Sequence, residues 1–173
     1  MKRLGIRRVF LVPAAAPPHK GTLVRASASH RYRMVKLAVG RHPGLAVSAI
    51  EMRRPGPSYT IDTVRAFRRR FPGRPLYFLV GADTVRDIPH WHRWRDLIRT
   101  VRFVAVSRPG FRLAPLHGYA GRFLLLACRG YRASSAGLRA RLARGGRAPE
   151  LPPKVAAYIR RHRLYRPGQG AAA

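Results

Sequence analysis

A short apolar run that stops at a glycine and is followed at once by a carboxylate constrains this chain more than any other feature. Leu76 to Val80 is rich in aromatic and β-branched residues, the pattern of a strand buried on both faces of a sheet. Gly81 ends the run, and Asp83 and Thr84 fall where a helix would start. In an open α/β sheet, ligands bind just outside the carboxyl ends of the strands. A carboxylate delivered there by a glycine turn suits a ribose hydroxyl or a metal. Trp91 and Trp94 follow within a turn or two, and an indole near a polar strand end is a platform for a flat ring. The same residues also suit a plain helix cap and two core indoles.

The flanking sequence repeats the alternation. Arg8–Val12 reads as a strand stopped by Pro13, followed by a proline-rich loop, Ala14 to Gly21, that holds out His19 and Lys20. A stiff loop presenting a cation suits a phosphate; a surface turn is the simpler reading. Ser27 to Val39 has a helical period, with Met34, Leu37 and Ala38 on one face. Leu45–Ala49 is a second strand. Ser58 is placed to cap a helix carrying Ile61, Val64, Phe67 and Phe71. Free N–H groups at Tyr59 and Thr60 would make that helix start a carboxylate site. Arg95 to Arg99 finishes the helix begun after Gly81, Val101–Val106 and Phe123–Ala127 are strands, and Phe111 to Gly121 is a loop. Ala133 to Arg139 opens a helix ended by Gly145 and Gly146. Ser134, Ser135 and Arg139 at its start form either a phosphate cradle or a simple capping pair. Pro152 and Pro153 start a last helix with Val155, Ile159 and His162 inward. Strands alternating with helices indicate a parallel α/β sheet.

Composition narrows the partners less than it first promises. Of the ionised residues, 36 are basic and 6 acidic, a net charge of +30. Such a field attracts nucleic acid or any polyphosphate. Yet only Lys2, Lys20, Lys36 and Lys154 are lysines, and the arginines are spread along the chain. With abundant Ala, Gly and Pro, this is the residue usage of a GC-rich coding sequence. The length of 173 residues fits one domain. The single cysteine, Cys128, excludes an internal disulfide framework and a thiolate zinc site, which makes a reducing cytoplasm the default. No apolar run is long enough to span a bilayer and no signal-peptide pattern stands at Met1, so no membrane partner is expected.

The order of motifs resembles bacterial nicotinate-nucleotide adenylyltransferase over nearly the whole chain. The matching stretches are Val12-Pro13, Pro17 to Lys20, Ser27 to Arg31, Arg54 to Thr63, Gly81 to Asp83 with Pro89 to Trp91, Ser107 to Gly110, Ser134-Ser135 with Arg139, and Tyr158-Ile159 with Leu164-Tyr165. The resemblance implies transfer of AMP from ATP to nicotinate mononucleotide, giving deamido-NAD and pyrophosphate with Mg2+. It places the pyridine carboxylate on the backbone N–H groups of Thr60 and His92, the ring on Trp91 and ribose on Asp83. Lys20 would lie near the phosphates, while Gly81, Ser134, Ser135 and Arg139 would hold ATP; no protein metal ligand is implied. The fold implied is α/β, a Rossmann-like, mostly parallel sheet with helices on both faces. It would form a nucleotidyltransferase domain over residues 1–165, with a disordered tail at 166–173. A homo-oligomer is compatible with it.

Two departures from the family pattern shape the expectations. The family opens with a strand, a Gly-Gly-Thr-Phe-Asp-Pro loop and a His-x-Gly-His signature, whereas Lys2 to Val9 matches the end of the helix that follows them. The central first strand is thus missing from this chain, between the strands at Arg8–Val12 and Leu76–Val80, and the resemblance leaves the catalytic residues unknown. A misplaced start or a fragment is expected, with the longer chain active and the chain as given catalytically crippled. The second departure is Ala136, which stands where the family has threonine. Two other readings remain. A basic nucleic-acid-binding protein would explain the charge, but no binding module or basic stripe with interleaved aromatics argues for it. A catalytically dead relative would keep the nucleotide pocket and release no pyrophosphate.

Overall fold

The computed structural model describes residues 4–18, 26–107, 118–128 and 134–166. Five strands and five α-helices follow one another along them, alternating as far as β4: β1 (Val9–Leu11), α1 (Ala28–Val39), β2 (Leu45–Val47), α2 (Thr60–Arg70), β3 (Tyr77–Gly81), α3 (Trp94–Thr100), β4 (Arg102–Ser107), β5 (Phe123–Ala127), α4 (Ser135–Ala143) and α5 (Pro153–Arg161). Every strand pairing is parallel, as crossover helices require. The strands form two sheets, β1-β2 and β3-β4-β5. Among the described residues β1 pairs only with β2, and β3 only with β4. Two compact units contain the sheets: Met1–Ser58 with Ala133–Ala173, and Tyr59–Arg132.

In the second unit the register aligns Phe78, Phe103 and Phe123 across three strands. Their rings stand 5.5 and 5.1 Å apart. This face carries Val80 and Ala105 as well, and it meets Ile61 and Val64 of α2 and Leu97 and Ile98 of α3 in one core. Phe103, Ile61, Leu97 and Ile98 are fully buried there. The alternation of strand side chains puts Leu79 on the other face, where it is 45% exposed. The expectation that Leu76–Val80 is buried on both faces is therefore corrected. Val104, the register partner of Leu79 on that other face, is buried, and among the described residues β3 lies at the edge of its sheet.

In the first unit, Ser27 caps α1 by accepting from the His30 N–H at 3.4 Å. α1 ends at Gly40, whose φ of 54° lies in the left-handed region. Val155, Ile159 and Leu164 form a small core with Met34, Leu37, Leu142 and Tyr158. His30 Nδ1 and the Tyr158 hydroxyl lie 2.9 Å apart, tying α1 to α5. His162 was expected on the inner face of the last helix. It instead caps the carboxyl end of α5 and is exposed, with its ring 4.2 Å from that of Tyr158. The span expected to be a disordered tail lies, from residue 167 on, outside the described residues.

The loop after α4 is tied down by Arg141, whose guanidinium donates to Glu150 Oε1 at 2.5 Å. That hydrogen bond holds the Glu150 carboxyl below its ordinary value. A carboxylate with a lowered folded-state pKa stabilises the fold above its unfolded pKa and loses the effect as pH falls through the folded one. The melting-temperature difference between the natural chain and Glu150→Gln should therefore be present at neutral pH. It should vanish once pH drops below the ordinary glutamate range. Thermal melts across that range read this directly, and a difference that persists in acid would disprove the assignment.

Candidate functional site

At the carboxyl end of β3 the chain doubles back. A Cβ added to Gly81 would collide with Oδ1 of Asp83, so the carboxylate occupies the space that glycine leaves open. Thr84 Oγ1 donates to the same oxygen at 3.4 Å. Asp83 is exposed and takes part in none of the ion pairs among the described residues, which are Arg65–Asp96, Arg93–Asp96 and Arg141–Glu150. Its oxygens are therefore available to hydroxyl donors.

The segment after Gly81 was expected to be an α-helix starting at Asp83. It is a 3-10 helix, Ala82–His90, with Pro89 inside it. Ala82, Val85 and Ile88 are its buried residues, three apart. That spacing stacks side chains on one line of a helix with three residues per turn. α3 is accordingly a separate element, entered through Arg93 in the left-handed region at φ 51°. The guanidinium of Arg93 is held by Asp96, with Nε 2.8 Å from Oδ2.

The 3-10 helix delivers Trp91, whose N–H donates to Ile88 O at 2.9 Å. The indole is half-buried and stands edge-on to Phe78, with centroids 5.9 Å apart and planes at 82°. Trp94 is packing: its ring meets Tyr119 edge-on at 5.5 Å, and the Arg95 guanidinium lies 4.7 Å from its centroid. Next to Trp91, the His92 ring stacks on Tyr59, with centroids 4.1 Å apart and planes at 25°. Tyr59 is the residue before α2, and no side chain caps that helix. Asp62 and Thr63 N–H groups bond to Tyr59 O. Among the described residues, the N–H groups of Thr60 and His92 donate to nothing. One ring stack thus links the two segments that carry these donors. The sequence marks the helix start at Tyr59 and Thr60 and the family resemblance adds His92, but neither indicates the contact made by the Tyr59 ring.

In the first unit, α4 is capped by Ser134, whose Oγ accepts from the Gly137 N–H at 3.0 Å. Accepting that bond leaves its O–H free to donate. Ser135 and Arg139 are exposed on the first turns of the helix. Lys20 and His19 lie outside the described residues. The loop that leads to them is described as far as Pro18, and it is clamped. Ser58 was expected to cap α2. Its Oγ instead accepts from Ala15 and Ala16 N–H groups, both at 3.0 Å, and its own N–H donates to Ala16 O at 2.9 Å. The Arg31 guanidinium donates to Ala14 O, to Ala15 O at 3.1 Å and to Ala26 O at 3.1 Å. Burial lowers the Arg31 pKa, while Tyr165 and Glu51 act in the opposite direction. No local pattern marks Ser58 and Arg31 as partners of one loop, because both contacts are long-range.

The sequence matches the profile of the cytidylyltransferase-like family over residues 1–141. A probable nicotinate-nucleotide adenylyltransferase of Symbiobacterium thermophilum is 41% identical over 95% of this chain and 84% of its own length. One from Thermus thermophilus is 42% identical, covering 94% of this chain and 86% of its own. The chain belongs to the nicotinate-nucleotide adenylyltransferase family. Its fold is that of a Plasmodium falciparum nicotinic acid mononucleotide adenylyltransferase solved with NaAD. That structure superposes with a TM-score of 0.74 at 17% identity, over 92% of this chain and 82% of the other. The chain is thus a nucleotidyltransferase by family, with parallel sheets flanked by helices. Among its described residues no helix is long and apolar enough to cross a membrane.

Proposed function

We propose that this chain binds nicotinate mononucleotide and ATP and serves the transfer of AMP between them, giving deamido-NAD and pyrophosphate in NAD biosynthesis. The observation that carries the reading is family membership across nearly the whole chain, at 41–42% identity to relatives of that name. The local geometry is what the ligands need. A pyridine carboxylate takes two N–H donors, and Thr60 and His92 offer a pair without internal partners. A flat ring takes the face of Trp91. On this reading ribose hydroxyls would take the Asp83 carboxylate; the family resemblance, rather than the geometry, assigns Lys20 to the mononucleotide and Gly81, Ser134, Ser135 and Arg139 to ATP. A cytoplasmic location and a homo-oligomeric state are part of the same proposal.

In the reaction a phosphate oxygen of the mononucleotide attacks the α-phosphorus of ATP. A new P–O bond forms as the bond to the departing pyrophosphate breaks, and no other redox or proton partner is required. Such displacements depend on alignment and on neutralising charge rather than on covalent help. Mg2+, when bound, would supply part of that neutralisation. Among the described residues no three His, Cys, Asp or Glu side chains converge on a cation site. The two histidines that the family resemblance puts at the transferring phosphate correspond to no residue of this sequence. Binding and turnover are therefore separate questions.

The test is titration calorimetry with nicotinate mononucleotide and with ATP, beside an assay of pyrophosphate release. The reading expects saturable binding of both that survives moderate salt. Failure to bind either would overturn it. Binding that ignores the mononucleotide, takes up duplex DNA and collapses with salt would favour a polyanion binder. Binding without pyrophosphate release would mark a chain that retains the pocket and lacks the catalytic groups.

A further inference from the structure

The two free amide donors belong to segments far apart in sequence. Thr60 opens α2, and His92 lies in the turn between the 3-10 helix and α3. Covalent structure does not fix their separation, and neither helix cap does, since α2 has no side-chain cap. The contact that ties them locally is the Tyr59–His92 stack. Tyr59 is adjacent to Thr60 and packs against the core of its unit, so it is the fixed partner. His92 is exposed and rests on it, and its side chain hangs from the same residue whose N–H is the second donor. A second link, Arg65 to Asp96 at 3.3 Å, lies further along the helices, and Tyr59 and Trp91 pack against the same core.

Separation matters because of what each ligand presents. A carboxylate offers two acceptor oxygens, whereas a carboxamide offers one oxygen and an NH2 that only donates. Two N–H groups held at the spacing of two carboxylate oxygens confront the amide with a donor against a donor. One N–H, or two allowed to drift, can be satisfied by the amide oxygen alone. We infer that the Tyr59–His92 stack is a positioning device: by fixing the distance between the Thr60 and His92 N–H groups, it makes the site discriminate the acid mononucleotide from its amide. The inference rests on the mononucleotide reading above and names the side chains that act through its backbone donors.

Titration calorimetry on the full chain, with nicotinate mononucleotide and nicotinamide mononucleotide in parallel, tests it without requiring turnover. His92→Ala removes the stack from an exposed position, and an unchanged circular dichroism spectrum and melting curve confirm its fold. It should weaken the acid ligand roughly tenfold and the amide by less than about threefold, so discrimination falls. His92→Phe and Tyr59→Phe keep two stacked rings and should retain discrimination within about twofold. The inference is overturned if His92→Ala discriminates as the natural chain does. It is equally overturned if His92→Phe behaves like His92→Ala, since the imidazole would then be contacting ligand. Failure of the natural chain to bind either mononucleotide would instead sink the functional reading, and this inference with it.

Discussion

Asp83→Asn should weaken nicotinate mononucleotide binding by about ten- to a hundredfold while leaving the melting temperature close to that of the natural chain. Hydrogen bonds to a charged acceptor contribute roughly 1.5–3 kcal/mol each, and every 1.4 kcal/mol is tenfold in affinity. Asparagine keeps one acceptor and replaces the other with a donor, which a second ribose hydroxyl cannot satisfy in the same geometry. Stability is spared because Asp83 is exposed and belongs to none of the ion pairs described. A second variant reaches the same carboxylate from the backbone. Gly81 has φ −64° and ψ 140°, which alanine adopts freely, so Gly81→Ala carries no backbone strain. Its new Cβ would nevertheless strike Asp83 Oδ1 and turn the carboxylate away. Gly81→Ala should therefore lose affinity in the same direction as Asp83→Asn, again without unfolding. Calorimetry beside thermal melts reads both. An unchanged affinity in Asp83→Asn would remove Asp83 from the ribose site.

Most of the scaffold was legible because its elements are written in local pattern. The helical period over Ser27–Val39 marked α1, though not the cap that Ser27 supplies, and the Phe123–Ala127 run marked β5 at its observed bounds. The second unit's core followed from the spacing of Ile61 and Val64 and from the apolar runs of β3 and β4. Where reading failed, the deciding contact came from elsewhere in the chain. Leu76–Val80 has the composition of a central strand, yet its burial depends on neighbours, and with one strand partner Leu79 faces solvent. Asp83 sits where an α-helix would begin, but the period of three in Ala82, Val85 and Ile88 selects a tighter helix. His162 looked inward by extrapolation of helical period past the point where α5 stops.

The site shows the same division. Thr60, Asp83 and Trp91 are legible at the polar ends of elements, whereas His92 enters only through the family resemblance; the structure stacks the ring of Tyr59, the neighbour of Thr60, on that of His92. The Tyr59 ring and the Arg31 guanidinium were not assigned these contacts because a ring stack and a buried guanidinium leave no periodic trace. Ser58 was misread for a related reason. Serine before a helix is the usual cap, and nothing near it in sequence shows that Ala15 and Ala16 N–H groups claim its oxygen first.

Arg31 carries a large expected stability effect in the first unit. Arg31→Met should lower unfolding free energy by on the order of 3 kcal/mol, because three backbone carbonyls lose their donor at once. They do not contribute equally. Ala26 is 4% exposed, so its carbonyl has little access to replacement water and bears the full cost. Ala14 and Ala15 are half-buried and recover part of theirs from solvent. Arg31→Lys should recover only a fraction, since an ammonium cannot span three acceptors as the planar fork does. Ser58→Ala should cost about 1 kcal/mol, as exposed Ala16 is readily hydrated. The pair should couple. Ser58 holds the N–H of Ala15 and Arg31 holds its carbonyl, so releasing either lets the other contact relax, and the double variant should lose less than the sum. Urea unfolding with unchanged slopes gives all four values. A loss below about 0.5 kcal/mol in Arg31→Met, the size of an ordinary surface substitution, would show that the proline-rich loop stands without its clamp. Strict additivity would show that the two residues hold separate structures.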